Sequence, residues 1–338
     1  MKKILLALSV CLGVLALVSA TFAHELWDFH LRGSNEGLAS GILPPPGLYF
    51  INDFAWGGTS SKYDRNGGAI PGVRLNGYID IPILLWTPGC RFLGATYGAA
   101  IAEPFNQVTL RVSPPASRIA LSGGQWGASN TVLVPFILSW QMSCHLFVSN
   151  SFAIGLNDGA TSPGDSAAAD PGNHLYHLQQ GDLSSTDLRN VYGWSSNDCY
   201  TFTPMIGIGW FYNGWNLSAV LAYTMYTKDT DTDYQTGGQF WADYTLTCTR
   251  GGWTVGVGAE QQNQVFNDKF NSGAGYRSQP GTMATNYGAG PIIGYNFGPC
   301  SLMLIYDFPI ATKSDTGGTQ WLDLRLVIPL GDPANWWT

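Results

Sequence analysis

What most constrains this chain is a rhythm of connections. Twelve segments of alternating apolar and polar residues fall between 47 and 330, joined in turn by very short and much longer links. The short links are Pro88-Gly89-Cys90, Met142-Ser143, Asn213-Gly214, Arg250-Gly251-Gly252 and Gly298-Pro299. Gly, Asn and Pro supply the backbone angles that tight turns demand. The long links, 61–72, 105–129, 157–199, 228–236, 266–283 and 313–318, are rich in Gly, Ser, Thr, Asn and Asp. Successive side chains of a strand point to opposite faces, so a two-residue period means a sheet with two unlike faces.

A soluble sandwich would also alternate, and composition separates the two cases. Charged residues make up 12% of the chain and aromatics 13%, whereas an ordinary soluble domain carries about 25% charged residues. There is little charge to cover a wet exterior. Beyond the N-terminus no run reaches the roughly 18 apolar residues of a spanning helix. The expectation is therefore all-β: a single antiparallel transmembrane β-barrel of about 12 strands over residues 47–330. Strands are expected at 47–60, 73–87, 91–104, 130–141, 144–156, 200–212, 215–227, 237–249, 252–265, 284–297, 300–312 and 319–330. An even strand number puts both chain ends on the tight-turn side, which in outer-membrane barrels is the periplasm.

The flanks read separately. Lys2 and Lys3 precede an apolar run from Ile4 to Leu17 and then small residues. That is the pattern of a cleaved signal peptide over 1–23, ending at Thr21-Phe22-Ala23 or alternatively at Val18-Ser19-Ala20. Export places the chain in the outer membrane of a Gram-negative-type bacterium. Residues 24–46, closing on Pro44-Pro45-Pro46, form either a lead or a lumen plug, and 331–338 form a C-terminal tail. The net charge of −7 falls further once the leader's lysines are gone, which excludes a basic nucleic-acid footprint. Cys90, Cys144, Cys199, Cys248 and Cys300 remain after processing. Their odd number predicts one or two disulfides with a spare thiol, or buried thiols.

Parity within the segments assigns faces. Leu322, Leu324, Leu326, Ile328 and Leu330 oppose Trp321, Asp323 and Arg325 in the last. Trp253, Val255, Val257 and Ala259 oppose Thr254, Glu260 and Gln262 in the ninth. In the second, Val73, Leu75, Ile79, Ile81 and Ile83 oppose Arg74, Asn76, Tyr78 and Asp80. Turning each apolar set to lipid puts Arg74, Asp80, Asp243, Glu260, Asp307, Asp323 and Arg325 on the lumen wall as constriction candidates, with Tyr78 and Trp241 as lumen aromatics. An arginine facing lipid at mid-depth would cost about 2–4 kcal/mol. The same charges could equally form wall-stiffening ion pairs. Trp86, Trp140, Trp210, Phe211, Tyr212 and Trp215 lie near strand ends, as an interfacial aromatic girdle requires.

Several pieces of the chain resemble a known family. Leu43-Pro44-Pro45-Pro46-Gly47-Leu48-Tyr49-Phe50, Tyr63-Asp64-Arg65-Asn66-Gly67, Gly214-Trp215-Asn216-Leu217 and Asp231-Thr232-Asp233-Tyr234-Gln235-Thr236-Gly237 are similar to the SphA-type outer-membrane proteins of phenol meta-pathway degradation. That family is related distantly to fatty-acid and aromatic-hydrocarbon transporter barrels. The resemblance covers nearly the whole mature chain. This sequence departs from the family in its 157–199 loop and in continuing past Pro329-Leu330 to Trp336 and Trp337. The resemblance implies a channel or transporter for small, hydrophobic or aromatic solutes.

The expected partners are the lipid bilayer, such a solute and the barrel-insertion machinery, with a monomeric barrel, no cofactor, no metal and no nucleic acid. Alternatives are a non-conducting structural or surface-interaction barrel and an outer-membrane lipid-modifying enzyme. Against an enzyme, no Gly-x-Ser-x-Gly elbow is present, and His145 lies at the tight-turn end. His174-x-x-His177 beside Asp170, and alternating Asp229, Asp231 and Asp233, are more simply solvated loop residues than metal ligands.

Overall fold

The structure is a computed structural model. It describes residues 30–63, 66–112, 121–159, 196, 198–229, 234–271, 276–279, 283–313 and 320–331. Residues 1–29 and 332–338 and, among the residues singled out from sequence, His174, His177, Asp170, Asp231 and Asp233 lie outside the described residues.

The strands are β1 (Gly47–Tyr63), β2 (Ala69–Thr87), β3 (Arg91–Phe92), β4 (Ala95–Ala102), β5 (Phe105–Val112), β6 (Leu121–Ala128), β7 (Val132–Gln141), β8 (Leu146–Gly155) and β9 (Thr201–Tyr212). There follow β10 (Trp215–Tyr226), β11 (Tyr234–Gln235), β12 (Gln239–Arg250), β13 (Trp253–Gln264), β14 (Asp268–Asn271), β15 (Tyr276–Gln279), β16 (Thr285–Asn296), β17 (Ser301–Lys313) and β18 (Gln320–Gly331). Every pairing is antiparallel, and β2 joins β4 so that the sheet closes on itself.

Two wall strands are each built from two pieces. The register of β2 runs unshifted from Trp86↔Ala99 on β4 to Val73↔Val112 on β5. β4 and β5 are therefore one strand interrupted at Glu103-Pro104, where proline withholds its amide from the ladder. β6 and β7 face them in the same way. Counted so, the wall has the twelve strands expected. The β5–β6 hairpin replaces most of the loop expected at 105–129, and β1 and β2 run on into 61–72. Pro104, Pro114 and Pro115 read as loop punctuation, yet residues 105–112 alternate and pair once β2 offers an edge. β11, β14 and β15 form a small separate sheet from the long links.

Outside, the wall is apolar. Leu217, Leu246, Val255, Val257, Ile293, Leu304 and Leu324 are exposed on it. Trp86, Trp210, Tyr212, Trp215 and Trp253 lie exposed at the tight-turn end, and Tyr287 at the other. Two members expected in the girdle lie elsewhere. Trp140 is buried with Ala95 and Leu138 and donates its indole N–H to the Leu93 carbonyl at 3.1 Å. Phe211 pairs with the inward-facing Asn216 and packs edge-on to Phe147. The five described cysteines are free thiols, so no disulfide forms among the described residues, and of the alternative buried thiols Cys199 is the fully buried one.

Because the outer face is set against hydrocarbon, Val257→Arg is expected to destabilise the inserted barrel by about 2–4 kcal/mol. Urea unfolding in lipid vesicles measures it, with Val257→Leu as the neutral comparison.

Candidate functional site

Residues 30–46 lie against the inner wall as a chain of turns. Ser34, Glu36 and Leu38 each donate a backbone N–H to the carbonyl three residues back: Leu31, Gly33 and Asn35. Gly33, Gly37 and Gly41, spaced by four, take φ of +74°, +74° and +87°. Only glycine adopts that conformation freely. At Gly41 a Cβ would also strike the backbone of Gly209 and Phe147, so the segment touches the wall main chain to main chain.

The wall supplies its anchors from alternating positions. Asp243 of β12 accepts from the backbone N–H of Gly33 at 3.3 Å and of Asn35 at 3.0 Å, and from the Asn35 amide at 3.0 Å. Two residues on, the Thr245 hydroxyl accepts from the Gly37 N–H at 2.9 Å. The Leu38 carbonyl takes hydrogen bonds from Asn216 and Ser218 of β10, both at 3.1 Å, and the Gly41 carbonyl takes one from Ser139 of β7 at 2.7 Å. Converging backbone N–H groups of this kind form a cradle for a carboxylate. His30 stacks on Trp241 at 3.4 Å and 8°, with its Nε2 3.3 Å from Asp243. The Trp241 indole donates to Thr224 at 2.9 Å.

Arg325 of β18 holds the far side. Its guanidinium donates to Asp53 of β1 at 2.6 and 3.1 Å and to Asp323 at 3.4 Å. It also donates to the backbone carbonyls of Ser34 and Glu36. The side chain is 1% exposed. A buried guanidinium persists only when its donors are matched in this way.

Between these anchors sits an acid-rich pocket. Arg32 reaches Glu260 of β13 at 3.8 Å. A Cβ at Gly33 would crowd the Asp307 carboxylate of β17, and one at Gly258 would overlap the Glu36 carboxylate. Glu36 is fully buried, and no hydrogen-bond donor reaches either of its carboxylate oxygens. Burial first, then the charges of Asp307, Asp243 and Glu260, push this carboxyl far above the usual carboxylate range, with Arg325 opposing them.

Of the candidates named from sequence, Asp243, Glu260, Asp307, Asp323, Arg325 and Trp241 are buried around this segment. Arg74, Tyr78 and Asp80 are not, and their expected lumen position is corrected. Asp80 pairs with Phe54 and Tyr78 with Trp56, whose rings stack at 6.5 Å on the exposed outer side. Arg74 is exposed opposite Arg111. Asp80 is accommodated there by the Asn52 amide at 2.7 Å. The residues turned inward on β2 are Ile79, Ile81 and Ile83, in register with Ala55, Asp53 and Ile51 of β1. Alternation distinguishes two faces of a strand but does not label them, and β2 is largely apolar on both. His30, Arg32, Asn35, Glu36 and Asp53 had no sequence-level assignment. The four-residue glycine spacing was the available signal for all but Asp53.

No group of three or more His, Cys, Asp or Glu among the described residues has metal-site geometry. The Ser34 hydroxyl lies 3.3 Å from His30 Nδ1, on the opposite side of the imidazole from Asp243.

A closed twelve-stranded wall with an apolar exterior and a polar, charged interior defines a transmembrane β-barrel. Residues 59–320 match the family described as "Putative MetA-pathway of phenol degradation", and the chain belongs to that family. Among solved structures it is similar to an outer membrane channel from Pseudomonas putida F1. The two are 13% identical over 86% of this chain and 98% of that one, with a TM-score of 0.67, which shows a shared fold. A monoaromatic hydrocarbon channel, a TodX deletion mutant, is 11% identical over 84% of this chain and 90% of that one, at a TM-score of 0.41. The KdgM porin is 8% identical over 83% and 99%, at 0.36. No curated protein matches the sequence.

Replacing Arg325 leaves Asp53 and Asp323 buried without their cation. Arg325→Ala is expected to cost about 3–5 kcal/mol, read as a lowered unfolding midpoint. Asp53→Asn should lose less, because the guanidinium keeps its carbonyl partners.

Proposed function

We propose that this protein is an outer-membrane channel for small, uncharged apolar or aromatic solutes, with its tight turns in the periplasm and its long links outside. The observation that carries the reading is the inner wall around β2. Ile79, Ile81 and Ile83 lie half-buried there, and Ala102, Val132 and Val134 continue the same inner surface onto β4 and β7. Apolar side chains on a lumen face gain nothing from lipid, whereas they lower the free energy of an apolar solute by about 25 cal/mol per Å² covered. The family's description and the shared fold with an outer membrane channel support the same reading.

Passage in this reading is diffusive. An apolar solute moves along the isoleucine strip, and the polar inner faces of β12 and β13 lie opposite it in the closed strand order. A non-conducting barrel is the second reading, favoured by the many bonds that hold residues 30–46 inside.

Planar-bilayer recordings decide between them. A channel gives discrete conductance events, larger once residues 30–42 are deleted. Silence from both proteins, each shown to be folded by heat-modifiable gel mobility, removes the channel reading. In cells, Ile83→Asn, opposite the uncharged Ile51 and Ala102, is expected to slow uptake of a neutral aromatic solute roughly tenfold, the equivalent of about 1.4 kcal/mol of lost apolar contact. Surface level and folding should be unchanged.

A further inference from the structure

Glu36 occupies a position that a charged carboxylate does not tolerate. It is fully buried, and no hydrogen-bond donor reaches either of its oxygens. Its carboxylate presses on Gly258 of β13, where there is no side chain to move aside. Three carboxylates bear on it from three strands: Asp243 of β12, Glu260 of β13 and Asp307 of β17. Asp53 of β1 and Asp323 of β18 stand behind Arg325. The cations nearby are already engaged. Arg325 binds those two carboxylates and the Ser34 and Glu36 carbonyls, and Arg32 faces Glu260. His30 lies on Trp241 beside Asp243.

A buried charge with no partner costs far more than a neutral acid in the same place. A protonated Glu36 carries no charge and has one O–H to donate, with Asp307 as its acceptor. Outside the lumen the same side chain meets water and ionises like any glutamate.

We propose that Glu36 is a proton-binding latch: with the proton bound, residues 30–46 dock in the lumen, and loss of the proton releases them.

The sign follows from linkage. The docked state holds the proton more tightly than the released state, so docking is complete below the ordinary glutamate range and weakens as pH rises through the docked value. Each pH unit in that interval lowers the docking equilibrium by up to about tenfold for one proton. His30 also touches Asp243, so His30→Gln serves as a control that leaves Glu36 as the group under test.

The docking itself is measured by hydrogen exchange of the 30–46 peptide in the full-length protein in nanodiscs, from pH 5 to 9, corrected for intrinsic exchange. The wild type and His30→Gln should lose protection as pH rises. Glu36→Gln keeps the shape without the charge, and its protection should not vary with pH. Asp307→Asn removes one facing carboxylate and should keep the segment docked to higher pH. Wild-type protection that is flat across the range overturns the latch, as does a wild-type slope retained in Glu36→Gln. If Glu36→Gln does not assemble, an unshifted Asp307→Asn profile overturns it instead. Because exchange reports docking and not conduction, a pH-dependent segment in a silent barrel keeps the latch and removes only the channel reading.

Discussion

Arg325 is the interaction on which the lumen depends. A guanidinium buried in a barrel cannot be left half-matched, because each unpaired donor costs on the order of a few kcal/mol. Two carboxylates on the wall, Asp53 and Asp323, satisfy one part of it. The remaining donors find acceptors only on the backbone of Ser34 and Glu36. The wall therefore provides an arginine that is incomplete without the segment. The segment in turn brings carbonyls that its own turns leave open. Asp243 completes the arrangement with the opposite sign, as a carboxylate gripped by backbone N–H groups. Charge on the wall and bare peptide on the segment are thus matched at both ends of the same short stretch.

The two sides of the wall obey constraints of unequal strength, and this governs what the sequence discloses. Hydrocarbon tolerates almost nothing polar at mid-depth. From Trp253 to Ala259 in β13 and from Leu322 to Leu330 in β18 the outward set is apolar, so parity alone put Glu260, Asp323 and Arg325 inside. The lumen side tolerates either kind of residue. In β2 the inner positions carry isoleucines, and Tyr78 and Asp80 stand outside. Periodicity was present there and correct, but its phase was reversed. The missing information was cross-strand. Asp80 lies opposite Phe54, and that pairing depends on a register no single segment contains.

The inserted segment was less visible for a different reason. Its residues form no strand or helix, so they have no period to read. Its order comes from glycines at every fourth position, and its anchoring contacts reach strands far along the chain, such as Asp243 from Asn35 and Arg325 from Glu36. Strand positions were legible because pairing with neighbours repeats along the chain. Glu36 was not, because its character comes from the carboxylates that three separate strands bring around it.

The Asp53–Arg325 pair has a further consequence, for assembly. It spans the junction of the first and last strands, where the wall must close on itself. A slip of two residues at that junction would leave every side chain on its proper face, so the surrounding lipid could not detect the error. Asp53 would then stand opposite Asp323 or Val327 instead of Arg325. The acceptors of Ser34 and Glu36 would lose their donor with it. The segment that precedes β1 in the chain can thus settle only in a barrel that has closed in the correct register. It acts as a gauge of closure, built into the protein and read from inside.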